Sequence, residues 1–151
     1  MSGANFTQAN LQKSSFFISD LRNTNFSKAN LTQASLRATD LRAAHLQQTT
    51  LTRANLNSAY LRGADLSQSN LLRANLGRAD LKAANLSQTN LRRANLFSAD
   101  LRDANLTEAE LGESNLRGAD LSGSTLLKAN RSIGEVLGGC LVQSVNGLNY
   151  R

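Results

Sequence analysis

A leucine or phenylalanine returns at every fifth residue from Phe6 to Leu126 without one slip of register. Of these 25 positions 22 are leucine, and the other three are Phe6, Phe16 and Phe26. An α-helix renews its face about every 3.6 residues and a strand about every 2, so neither keeps a period-five stripe on one side. The chain must turn between successive leucines. Two residues before each of them, from 4 to 129, all 26 positions are Ala, Ser or Thr, and the residue between is most often Asn or Asp.

The unit is therefore A-(N/D)-L-x-x, as in Ala54-Asn55-Leu56, Ala64-Asp65-Leu66, Ala94-Asn95-Leu96 and Ala104-Asn105-Leu106. Over residues 4–130 it resembles the pentapeptide-repeat family. That resemblance implies an all-β fold, a right-handed quadrilateral β-helix in which four pentapeptides make one 20-residue coil. Residues 1–130 would form the β-helix, 25 repeats in about six coils. Leucine and the small residue before it would point inward, and a tube filled with leucine from every side has room beside it only for Ala, Ser or Thr. The other three positions would face water.

The repeat ends at Arg131, and residues 131–151 are read as a cap or tail. Ser132 and Glu135 have capping-box spacing, and Ile133, Val136, Leu137, Cys140, Leu141 and Val145 fall on one helical face before Asn146-Gly147. A short C-terminal capping helix over 133–145 is expected. Val136 and Leu141 also fit the five-residue register, which leaves a degenerate coil as the alternative. At the other end Ala4-Asn5-Phe6 is already a repeat. An end-to-end homodimer is expected there, with Phe6 and Phe16 at the edge of the core and Phe17 and Ile18 beside the junction. The alternative is that the phenylalanines plug the tube.

One cysteine, Cys140, and one histidine, His45, argue against a disulfide framework and against a Cys/His metal site. A nucleophile needs a base within hydrogen-bond reach and that base an orienting partner, and no such set is legible. No phosphate loop or cofactor fingerprint is present either, so no enzyme activity and no cofactor are expected. No leader and no long apolar run are visible, so a cytoplasmic protein without a membrane partner is expected.

Function, if visible, lies in the outward columns, where every twentieth residue stacks. One side carries Asp20, Asp40, Asp80 and Asp100 beside Arg22, Arg42, Arg62, Lys82 and Arg102, and reads as a structural salt-bridge ladder. A second column holds Lys13, Arg53, Arg73 and Arg93 with Arg92 alongside, and is expected to lack compensating acids, which makes it the candidate surface for an anion or a partner. Some members of the family resemble duplex DNA in size and negative charge and occupy a topoisomerase's DNA site. The net charge of +6 gives this chain the opposite field, and no loop interrupts its repeats, so that activity is not expected. The expectation is a rigid scaffold for an unidentified protein partner, with binding of nucleic acid or another polyanion through the basic stripe as the alternative.

Overall fold

The computed structural model describes residues 1–129 and 144–146. Each residue of the Asn/Asp column, from Asn5 with Asn25 to Asn105 with Thr125, forms a parallel bridge with the residue 20 further on. Four bridges per 20 residues give every coil four sides. The bridges are isolated, so each side carries one bridging residue in place of a continuous strand. Neighbouring coils lie at the strand spacing of about 4.8 Å.

Backbone hydrogen bonding accounts for the period. In the repeat around Leu56, the Asn55 N–H donates to Ala34 O of the preceding coil and the Leu56 N–H to Asn75 O of the next. The Ser58 N–H donates to Gly77 O, again in the next coil, and the Ala59 N–H closes the corner on Leu56 O. The Asn57 N–H is left, and the Asn55 side chain takes it at 3.1 Å. All five backbone donors of the repeat are thus satisfied, as a buried main chain requires. This is why Asn and Asp fill the slot before leucine: their Oδ1 reaches an N–H two residues on, as an Asx turn does. Asn5, Asp20, Asn75, Asn95 and Asp120 make the same bond.

The corner imposes a cost. The second residue after each leucine has a left-handed backbone, with φ from +52° to +62° at non-glycine positions up to Lys128. Only Gly3, Gly63, Gly118 and Gly123 relieve it. A left-handed L-residue costs roughly 1–2 kcal/mol, and the stacked core offsets that cost. From Leu21 to Leu106 each leucine of the register is fully buried, and the alanines before them are at most 1 % exposed. Thr39, Thr49, Ser69 and Thr89 occupy the same small column, and each hydroxyl donates to the carbonyl 23 residues earlier.

At the C-terminal end, the expected capping helix falls mainly on residues outside the described ones. Its last residue, Val145, is not helical. Ser144 takes the left-handed corner with φ 54°, Val145 packs partly buried on the core, and Asn146 pairs with Thr125. That pairing is 21 residues apart where all the others are 20. Ser144–Asn146 therefore repeat the corner, core and bridge positions of Gly123–Thr125 with one residue inserted between. This favours the degenerate-coil alternative over the helix at 144–146. Among the described residues no helix is long and apolar enough to cross a membrane.

Candidate binding surface

The 20-residue register decides which outward side chains become neighbours. On the side of the aspartate column, Arg22, Arg42 and Arg102 fold back onto Asp20, Asp40 and Asp100 two residues earlier, each through Nε and Nη2. Arg22 also reaches Asp40 at 3.7 Å and Arg102 reaches Asp120 at 3.8 Å, which joins successive coils. The arginine hydrogen bonds hold these three carboxyls below the usual carboxylate range. The rest of the expected ladder is arranged differently. Lys82 pairs with Asp103 at 3.7 Å and not with Asp80, whose Oδ1 accepts the Lys82 backbone N–H. Tyr60 replaces an aspartate, and Arg62 beside it has no ion pair among the described residues.

The basic column lies on a corner, where Lys13, Arg53, Arg73, Arg92 and Arg93 are all exposed. The expectation that it lacks compensating acids is corrected at one end. Glu113 stands one coil beyond Arg93 and takes its guanidinium at 2.8 and 3.2 Å. That bond lowers the Glu113 carboxyl below its ordinary range, helped by the charges of Arg92 and Arg73. Arg92 lies over Gly112, whose Cα hydrogen leaves space for it. Lys13, Arg53, Arg73 and Arg92 have no ion pair among the described residues.

The side next to this corner bears the column Asn55, Asn75, Asn95 and Asn115, and its far corner carries Arg37, Arg78 and Arg117, all exposed. Sequence reasoning singled out only the first corner. The second was present in the same 20-residue register, but its cations alternate between two adjacent corner positions and so do not read as one stripe. The two corners together hold eight cations and one acid, Glu113, an excess larger than the net charge of the whole chain, +6. Between them, Asn95 Nδ2 donates to Asn75 Oδ1 at 3.1 Å and Asn115 Nδ2 to Asn95 Oδ1 at 3.2 Å. Phe97 is exposed on the far corner, and the Arg37 guanidinium sits 5.4 Å from the centre of the Phe17 ring.

The four residues expected at a dimer end do not form one surface. Phe6 stacks on Phe26 at 5.2 Å inside the tube, and Phe16 meets both rings edge-on at 6.0 and 5.9 Å. Phe16 is buried while Phe6 and Leu11 are partly exposed. Phe17 and Ile18 point outward at a corner, 49 % and 68 % exposed. On the side opposite the asparagine column, burial pushes the Asp65 carboxyl up. Bonds from the Ser67 N–H, Gln47 and Asn85 outweigh that and hold it low. No group of His, Cys, Asp and Glu among the described residues is placed to hold a metal ion.

The sequence matches the family described as pentapeptide repeats, in eight copies, over residues 1–37, 19–57, 34–73, 59–97 and 99–130. No curated protein matches the chain. Among solved structures it is similar to HetL, a pentapeptide repeat protein involved in heterocyst differentiation regulation from the cyanobacterium Nostoc sp. strain PCC 7120. The two are 28% identical with a TM-score of 0.52, over 97% of this chain and 75% of that one. Rfr23, a pentapeptide repeat protein from the cyanobacterium Cyanothece 51142, is 26% identical with a TM-score of 0.55, over 94% of this chain and 90% of that one. A trypsin-treated form of QnrB1, a plasmid-mediated fluoroquinolone resistance protein, has a TM-score of 0.80 at 16% identity, over 99% of this chain and 84% of that one. At that identity the likeness is one of fold.

Proposed function

Because this chain belongs to the pentapeptide-repeat family, with the right-handed quadrilateral β-helix its structural neighbours imply, we propose that it is a non-enzymatic rigid scaffold that holds a macromolecular partner against one flat side. The observation that carries this reading is the segregation of charge: eight cations and one acid flank the asparagine column, while the adjacent side ties Arg22, Arg42 and Arg102 to aspartates. Ion pairs on the lattice side stabilise the fold weakly, by about 0–1 kcal/mol each, and leave little charge for a ligand. Unpaired guanidiniums on the other side are free to meet an anionic partner, and their field draws it in.

The partner is a protein with an acidic face or a polyanion, and the excess of cations favours an anionic one in either case. Self-association through exposed Phe17 and Ile18 belongs to the same reading, because neither side chain has a core to fill. We infer a cytoplasmic setting, in which the single Cys140 keeps its thiol. The test is affinity capture with the wild-type chain, with Arg53→Gln/Arg73→Gln/Arg92→Gln, and with Arg42→Gln/Arg62→Gln/Lys82→Gln, which removes the same charge from the lattice side. A partner retained by the second triple variant and lost by the first supports the scaffold side. Equal recovery by both variants refutes it.

A further inference from the structure

Resting on that reading, we infer that the side bearing Asn55, Asn75, Asn95 and Asn115 binds a single-stranded nucleic acid. Its phosphates run along the Arg53, Arg73 and Arg92 corner, and its bases face the amide column and the Phe97 ring. The free cations of the first corner all lie along one edge of this side. Arg53, Arg73 and Arg92 occupy consecutive coils, with Lys13 two coils before Arg53. Lys13, Arg53 and Arg73 share one corner position, with Gln33 between the first two, and Arg92 stands at the position beside it, so at about 4.8 Å per coil they form a broken row of positive charge along one edge. A phosphodiester chain carries a repeating negative charge that can follow such a corner. Seven of the eight cations are arginine, whose planar fork matches phosphate oxygens in pairs.

The floor and the far corner suit bases. Each asparagine of the column spends its Oδ1 on the backbone N–H two residues on, and Asn75 and Asn95 also accept the Nδ2 of the next coil. The result is a flat, ordered amide surface with no charge to desolvate. Gly77 keeps the far corner low. A Cβ there would come within 3.1 Å of Asn57 Nδ2 and 3.4 Å of Asn95 Nδ2, so no side chain rises between Asn57 and Phe97. Phe97 stands directly past that recess, 39 % exposed, in the same column as Arg37 and Arg117. A ring so placed stacks on any base, since every base has a π-face, and this gives binding without sequence preference. Such a ring can use only a base that is free of its pair. The side is one pentapeptide wide, about 10 Å for three extended residues, which fits one strand.

The test is fluorescence anisotropy of a labelled oligothymidylate of about 12 nucleotides with the full chain at about 50 mM salt. Four phosphate contacts predict a log–log salt slope of about −3, and Arg53→Gln/Arg73→Gln/Arg92→Gln should reduce that slope to about −1. The triple variant should bind at least about tenfold more weakly, while Arg42→Gln/Arg62→Gln/Lys82→Gln stays within about threefold of the wild type. Phe97→Ser should weaken binding and leave the slope unchanged, which a purely electrostatic attraction would not give. Circular dichroism confirms that each variant is folded. Equal losses in both triple variants overturn the inference, as does tighter binding of a duplex of the same length or competition by polyglutamate as strong as by the oligonucleotide. Absence of binding also overturns it. A nuclease-resistant protein captured by the wild type and lost with the first triple variant would then keep the scaffold reading while removing the nucleic acid.

Discussion

Ser69 and Ser124 occupy equivalent places in the small inward column, and the same substitution at each should move stability in opposite directions. Ser69 is 2 % exposed; its hydroxyl donates to Leu46 O and accepts the Thr49 N–H at 3.2 Å. Ser124 is fully buried, and its hydroxyl has no partner among the described residues. Alanine fits this column without repacking, since Ala74 and Ala94 hold the same position with 0 % and 1 % exposure. Ser69→Ala therefore loses one donated bond and weakens another, a cost of about 1–2 kcal/mol. Ser124→Ala removes an unsatisfied buried hydroxyl and should gain about 1 kcal/mol. For a chain of this size each kcal/mol shifts Tm by roughly 2–4 °C. Thermal melts followed by circular dichroism should show Ser124→Ala above the wild type and Ser69→Ala below it. A drop of equal size in both variants would mean that the Ser124 hydroxyl is bonded in solution and would refute the reasoning.

Ala74→Leu and Ala94→Leu insert three carbons into a column walled by buried leucines and should each lose roughly 1–3 kcal/mol, whereas Arg73→Leu on the exposed corner should change Tm little; equal Tm values for the three would contradict the inward assignment. Ile18 is β-branched at φ 53° and 68 % exposed, so Ile18→Gly should raise stability by roughly 1 kcal/mol, and a fall in the denaturant midpoint would count against corner strain. Asp20, Asp40 and Asp100 have carboxyls lowered by their arginines, so they favour the folded chain above about pH 4, and that contribution is lost as pH falls through their folded-state values. Asp40→Asn/Asp100→Asn should flatten the acid side of the stability profile, and an unchanged profile would show that the lattice adds nothing. Sedimentation should give a dimer for the wild type and a monomer for Phe17→Ser/Ile18→Ser, while a monomer at every accessible concentration of the wild type would remove self-association.

The unbroken leucine register made the coil legible, because each Leu repeats both the side it faces and its partner 20 residues away. That the Asn/Asp slot satisfies a backbone donor was not legible. The donor belongs to the next residue but one, and it becomes orphaned only when the corner turns. The Arg93–Glu113 pair lies one coil apart on a single column and could be read from the same register, yet Glu113 sits in a run of acids that reads as a local cluster. The second cationic corner was harder, since Arg37 and Arg117 occupy one corner position and Arg78 the next. The three phenylalanines of the register are inward by pattern, but whether they plug the tube or meet a second copy depends on ring packing, and Phe6 lies flat on Phe26. At the C-terminal end the inserted residue breaks the register, so Val145 fits a helical face and a coil position equally well by sequence.

The claim that one side of the rod is the binding surface can be read in a single titration of the ¹⁵N-labelled chain with oligothymidylate, followed through the asparagine side-chain amides. Asn75 and Asn95 lie on the cationic side, and Asn85 and Asn105 lie on the opposite side in the same ladder geometry. The expected result is that the Asn75 and Asn95 amide signals move progressively while those of Asn85 and Asn105 stay in place. Shifts of equal size on both sides, or none on either, would contradict it.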